Sequence, residues 1–212
     1  VENNEFVWHR EVIDPQVERT LNDLRTLGVL ERCYLAGGTG LALHLGHRRS
    51  HDLDFFSRDA IDTEALTRRM KSLAGFALAA EAQDTLHVTI QGVKVSFLAY
   101  PYPVLFPFVA FQSVNVADPR DIACMKLSAI ASRGTKRDFI DLYMTSKQYG
   151  VAQVLEWFRR KYADVNPSPT HLLKSLTWFE DAEKDPMPDL LGPLTWEAVK
   201  KFFRSEAPRL AP

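Results

Sequence analysis

The sequence predicts an α/β half followed by an all-helical half, and three observations carry that division. Up to about residue 115, short β-type runs alternate with helical periods. Two of those runs, TLHVTI (85–90) and VKVSFLAY (93–100), are separated by Gln91-Gly92 alone, the length and composition of a tight hairpin. From Asp118 onward β-type runs stop, and helical stretches follow one another over 118–132, 138–149, 151–163, 168–179 and 195–206. We therefore expect a mixed α/β domain over 1–115 and a helical domain over 116–212 that completes a cleft with it, the change falling between Tyr100 and Asp118.

Each element has its own signal. After an extended start, Asp14-Pro15 opens a helix on which Val17, Leu21 and Leu24 recur at helical spacing. CYLAGG reads as a short buried strand ending at glycines, and TGLALHLG as a buried helix, apolar almost all round, that stops at Gly46. HDLDFFS is the next strand, and DTEALTRRMKSLA is an exposed amphipathic helix capped by Asp62. The proline-rich YPYPVLFPF crosses between lobes, and a further strand is expected near FQSVNV.

Composition narrows the class. With 46% hydrophobic and 25% charged residues, neither disorder nor a fibrous architecture fits. A net charge of -1 excludes a protein that works by bulk basicity. Cys33 and Cys124 lie in apolar segments without metal-ligand spacing, as reduced core residues do. No apolar run reaches the roughly 18 to 20 residues of a membrane span, and the first residues lack a signal-peptide pattern. The expectation is a soluble cytoplasmic protein with no membrane association.

The chemistry gathers between Ala36 and Phe56. Side chains alternate along a strand, so Asp52 and Asp54 share one face while Leu53 and Phe55 occupy the other. Two carboxylates held that close repel unless a cation lies between them. Mg²⁺, with Mn²⁺ as the alternative, suits such oxygen donors and completes its shell with water and phosphates. Gly37 and Gly38 stand between a strand and a helix N-terminus, where a missing side chain admits a phosphate. Thr39 has two open readings, a helix cap or a hydroxyl donor to a phosphate oxygen. Arg49 in the basic run His47-Arg48-Arg49 is placed to face a triphosphate, and a solvated loop is its competing reading.

The helix from Asp118 turns about 100° per residue, which puts Lys126 in the middle of a face built from Ile122, Met125, Ala129 and Ile130. A buried ammonium is costly without a negative partner, so Lys126 is expected to point into the cleft rather than to snorkel. Arg133, seven residues on, projects along the same stripe. Asp138 reads as an N-cap with Asp141 completing the arrangement, and both also stand as site candidates. FRRKY (158–162) and KKFFR (200–204) read as solvated helix faces, and Trp157, Trp178 and Trp196 as core.

The spacing of AGG and DLDF resembles the nucleotidyltransferase superfamily. Together with GGTGLALHLGHRRSHDLDFF, DPRDIACMKLSAIASRGTKRDFIDLYM and LTWFEDAEKDPMP, it is similar to the AbiEii/AbiGii-type toxin nucleotidyltransferases over most of the chain. That resemblance implies a nucleotidyltransferase-like mixed sheet with flanking helices followed by a C-terminal helical bundle. It implies metal-dependent transfer of NMP from an NTP to an acceptor hydroxyl, with tRNA or another RNA as acceptor and an antitoxin protein as partner. It also implies that Lys126 holds nucleotide phosphates and that the KDxxD-like segment, here Lys136, Asp138 and Asp141, belongs to the site, with Asp141 the preferred catalytic helper. Many relatives of the superfamily carry a third metal-binding carboxylate on a strand after the D-x-D. Here the hairpin places Ser96 at the position most suited to face the site, which keeps open a catalytically degenerate nucleotide- or partner-binding module of the same fold.

Overall fold

The computed structural model describes residues 7–165 and 168–210. The extended start therefore lies partly outside the described residues. Helix α1 (Pro15–Thr26) is entered as Asp14-Pro15 predicts: the Asp14 carboxylate accepts from the backbone N–H groups of Gln16 and Val17, both at 2.9 Å. Strand β1 (Tyr34–Leu35) runs into α2 (Gly37–Leu45), which Gly46 ends in the left-handed conformation. Then follow β2 (Leu53–Ser57), α3 (Thr63–Met70, capped by Asp62), β3 (Ala77–Ala82), β4 (Thr85–Ile90) and β5 (Val93–Ala99). Two short strands, β6 (Val109–Phe111) and β7 (Val114–Val116), finish the β-part.

These strands form a seven-stranded mixed sheet in the order β3-β4-β5-β2-β1-β7-β6. β2 is its pivot, antiparallel to β1 and parallel to β5. The register follows from burial on one face: Leu53, Phe55, Val95, Phe97, Leu86 and Val88 are all 1% exposed or less and join one hydrophobic cluster with α1. Burying such side chains stabilises by roughly 1.5 to 3 kcal/mol each, so a one-residue slip of β2 is strongly disfavoured. That same constraint puts Asp54 and Phe56 on the face turned to the helical half.

The β4–β5 turn is the expected tight one, with Gln91 at φ 51° and Gly92 at φ 85°. FQSVNV is two strands rather than one, because Gln112 (φ 49°) and Ser113 (φ 66°) make a second tight turn without a glycine to announce it. β3, Ala-Leu-Ala-Ala-Glu-Ala, carries no strand signal of its own; all six residues are exposed, and its pairing with β4 makes it a strand.

After β7 the chain turns helical: α4 (Pro119–Ser132), α5 (Lys136–Tyr149), α6 (Val151–Lys161), α7 (Pro169–Ser175), the short α8 (Glu180–Glu183) and α9 (Trp196–Glu206). These helices share a second core, and a third small cluster of Tyr34, Ala36, Leu41, Ala117, Ile122 and Met125 joins the two halves. α5 begins two residues before the expected start. Thr135 is its N-cap and forms a capping box with Asp138, so Asp138 sits in the first turn rather than at the cap. The proline strap crosses as expected and is pinned: the buried Asp121 carboxylate accepts from the N–H groups of Leu105 and Phe106, and pairs with Lys161 at 2.7 Å. Lys161, expected on a solvated face, is thereby fully buried.

Trp178 is not core. α7 ends at Ser175, and Trp178 follows in a loop at 63% exposure, whereas Trp157 is buried. Trp178→Ala is expected to change the unfolding free energy by no more than about 0.5 kcal/mol, as for other surface substitutions, in a urea titration. Cys33 and Cys124 are both free and buried, and burial pushes their thiols up to about 11 and about 12.

Candidate active site

The site is built where β1, β2 and α2 meet. The Ala36 N–H donates to the Asp54 carbonyl at 3.1 Å, which draws the glycine pair against β2. Gly37 has φ +62°, and a Cβ there would lie 2.7 Å from Asp54 Oδ2. A Cβ at Gly38 would lie 2.4 Å from Arg48 Nη2. Gly37 is therefore required by its backbone conformation and close approach, and a side chain at Gly38 would displace the Arg48 guanidinium. The helix they open has Ala36 at its N-cap and no side chain satisfying its first N–H groups, which leaves the positive end of α2 beside the carboxylates. Thr39 neither caps nor faces out: it is buried in the first turn, and its hydroxyl is taken up by the Asp52 carbonyl and the Ser50 hydroxyl.

Asp52 immediately precedes β2 and is half-exposed; Asp54 lies two residues on in the strand. Burial pushes the Asp54 carboxyl above its usual range, and the Asp52 charge adds to that, while a hydrogen bond from Ser96 and the Lys126 and His87 side chains work against it. Among the described residues no group of three or more His, Cys, Asp or Glu side chains gathers as a preformed metal cage. Ser96 stands in register with Asp54 on the neighbouring strand, as its sequence position suggested.

Behind this pair of carboxylates lies a buried network of charge. Lys126 Nζ is 2.9 Å from Asp138 Oδ1 and 2.8 Å from Asp141 Oδ2. Asp141 also receives Arg48, through Nε at 2.7 Å and Nη2 at 2.9 Å, and His47 Nε2 at 2.8 Å. Burial works to raise the Asp141 carboxyl, yet the Lys126 and Arg48 charges with their hydrogen bonds hold it well below the ordinary carboxylate range. Burial likewise opposes the Lys126 ammonium, and the two aspartates override it and raise its pKa. The expected stripe position of Lys126 is thus reconciled with burial by two carboxylates from the next helix. The Arg48 fork clamps Asp141 on α5 while lying over Gly38.

The C-terminal segment holds this arrangement from outside. Arg49 N–H donates to the Asp189 carbonyl at 2.8 Å, and Leu191 N–H to the His47 carbonyl at 3.0 Å. The Arg49 side chain, expected at the phosphates, is half-exposed and lies 3.3 Å from Asp189, because the loop's alternation turns Arg48 inward and Arg49 out. Lys136 is buried but turned away, donating from its backbone N–H to Asp185 Oδ2 at 2.9 Å and from its ammonium to the Asp185 carbonyl. Arg133 caps the C-terminal end of α4 and is exposed, beside Lys174 and Trp178 rather than the aspartates. The structure brings Gly37, Gly38, Asp52, Asp54, Lys126, Asp138 and Asp141 together. It adds Arg48, His47, His87 and Arg137, whose guanidinium lies 3.7 Å from Asp52. His47 and Arg48 had a signal, in the basic run, and nothing there separates Arg48 from Arg49.

A family model described as the nucleotidyl transferase AbiEii toxin of type IV toxin–antitoxin systems matches residues 19–106 and 93–211. An uncharacterized protein of Aquifex aeolicus (strain VF5) is 35% identical over 190 residues, covering 87% of this chain and 90% of its own length. Among solved structures, JHP933 from Helicobacter pylori shares 19% identity at a TM-score of 0.56, covering 93% of both chains. MenT4, the nucleotidyltransferase toxin Rv2826c of Mycobacterium tuberculosis H37Rv, shares 17% at a TM-score of 0.57, covering 93% of this chain and 85% of its own. At such identities the structural likeness speaks to the fold, the mixed sheet with flanking helices. Family match and fold together define a nucleotidyltransferase. The chain belongs to the AbiEii nucleotidyl transferase toxin family.

Proposed function

We propose that the chain transfers a nucleoside monophosphate from an NTP to an acceptor hydroxyl, with a divalent cation held by Asp52 and Asp54. The observation that carries this is the contact of Gly37 with Asp54: a position where a Cβ would meet the carboxylate at 2.7 Å puts an open helix N-terminus against an acidic pair. An anion and a cation are thereby favoured at one place. The donor set fits Mg²⁺ or Mn²⁺, being two neighbouring carboxylates, of which burial and the Asp52 charge disfavour ionisation of Asp54. When bound, such a cation supplies charge neutralisation on the phosphate oxygens.

The chain's own groups do the rest. The N–H groups of Gly37 and Gly38 cradle the phosphates, and Lys126 contributes positive charge from the facing helix. The acceptor hydroxyl oxygen attacks the α-phosphorus in line, its proton passes to water, and the bond from the α-phosphorus to the β-phosphate oxygen breaks to release pyrophosphate. Asp138 and Asp141 hold Lys126 charged and placed, so their part is to orient it. Arg137, half-exposed beside Asp52, is positioned to meet an incoming anionic substrate. The family description supports an antitoxin protein as partner, and RNA such as tRNA is the acceptor we propose, in the cytoplasm. Among the described residues no helix is long and apolar enough to cross a membrane.

Incubation with labelled NTPs, Mg²⁺ and total RNA or total protein tests the reading. Label is expected on RNA, and it is expected to vanish in the double variant Asp52→Ala with Asp54→Ala. Transfer that survives in the double variant overturns the assignment of the two aspartates.

A further inference from the structure

The face of the sheet that carries Asp54 holds two more polar side chains in line with it. β5 lies between β2 and β4, with Asp54 opposite Ser96 and Ser96 opposite His87. All three are half-buried, and their strand neighbours Leu53, Phe55, Val95, Phe97, Leu86 and Val88 are packed into the core on the other face. Ser96 stands directly beside Asp54 in register and works to keep its carboxyl ionised, and His87 Nδ1 lies 3.1 Å from Ser96 Oγ. We propose that His87, acting through the Ser96 hydroxyl, is a positioning residue that fixes the orientation of the Asp54 carboxylate toward its cation.

The proton count gives the direction of the row. A serine hydroxyl has one proton to donate. Asp54, as a carboxylate, only accepts, so Ser96 spends its proton there and can only accept from His87. His87 Nδ1 must then carry a hydrogen and donate it to Ser96 Oγ. Without His87 the Ser96 hydroxyl is free to rotate away from Asp54. The neighbour beyond His87 on β3 is Ala80, so no further side chain in the row competes for its ring. A carboxylate held from behind by a hydrogen-bonded partner is a recurrent requirement of metal sites, and loss of such a partner costs about 10- to 100-fold in metal affinity or activity. In this row a hydroxyl and an imidazole stand beside Asp54, and no third carboxylate does.

The proposal rests on the reading that Asp54 holds a divalent cation, and its test separates the two. Mn²⁺ binding is measured by electron paramagnetic resonance in the presence of a non-hydrolysable NTP, alongside kcat and KM for labelled transfer. Asparagine places its amide nitrogen where His87 has Nδ1, and glutamine places it where His87 has Nε2. His87→Asn and Ser96→Thr are expected to bind Mn²⁺ within about threefold of the wild type, whereas His87→Gln, His87→Ala and Ser96→Ala weaken it about tenfold or more. The losses are expected in kcat and not in KM for the NTP. Retained affinity in all five variants overturns the proposal, as does an equal loss in all five or retention by Gln with loss by Asn. A wild type that binds no Mn²⁺ overturns it together with the cation reading. Mn²⁺ affinities that sort as expected, in a protein that modifies no acceptor, leave the proposal standing and refute the transfer reading.

Discussion

Asp141→Ala is expected to lower the unfolding free energy by about 3 to 5 kcal/mol, because it strands the buried Arg48 guanidinium and takes one of its two carboxylates from Lys126. Arg48 is 3% exposed at its side chain and Lys126 10%, and Asp141 itself is fully buried between them. Lys126 keeps Asp138, but Arg48 keeps only the Arg49 carbonyl at 3.0 Å. Urea denaturation of wild type and variant measures the difference, and a loss below about 1 kcal/mol refutes the network as a structural anchor. The same group has a pH signature. Its native pKa is held well below the value of about 3.9 expected when unfolded. Its contribution is therefore fully present above about pH 4 and is lost as pH falls through the native pKa. Asp138, also depressed, acts in the same sense. Asp141→Asn is expected to show a flatter loss of stability as pH falls below about 4 than the wild type. Equal slopes overturn this assignment.

Gly37→Ala is expected to reduce transfer about 100-fold or more while leaving the chain folded. The added Cβ would stand 2.7 Å from Asp54 Oδ2 and 3.2 Å from Asp54 Cβ, in a backbone at φ +62°. The backbone conformation costs a non-glycine residue about 1 to 2 kcal/mol. The carboxylate must also move, and a displacement of about 1 Å at a reacting centre is enough for a 100-fold loss. The measurement is kcat/KM for labelled transfer together with a melting curve. Activity within about threefold of the wild type shows that the close approach of glycine and carboxylate is not needed for the reaction.

Much of the fold is legible residue by residue. Asp14-Pro15, Asp62 and Gly46 mark helix ends by local chemistry, and Gln91-Gly92 marks its turn, because capping and left-handed backbone are properties of a few consecutive residues. Where a turn uses Gln112-Ser113 instead, the same geometry has no compositional mark. β3 is illegible for a different reason: its strand state comes from β4, and its own alanines favour nothing of the kind.

The sequence by itself determined the faces. Alternation places Asp54 away from Leu53 and Phe55, and the helical turn places Lys126 on the apolar stripe of α4. Only the tertiary structure decided partners. It chose Arg48 over Arg49 for Asp141, 93 residues away, turned Lys136 to Asp185, and gathered Asp54, Ser96 and His87 into one row. Periodicity records which side of an element faces inward, a matter of adjacent residues. Which charge it meets there depends on strand order and helix packing across the whole chain, and those leave no local trace.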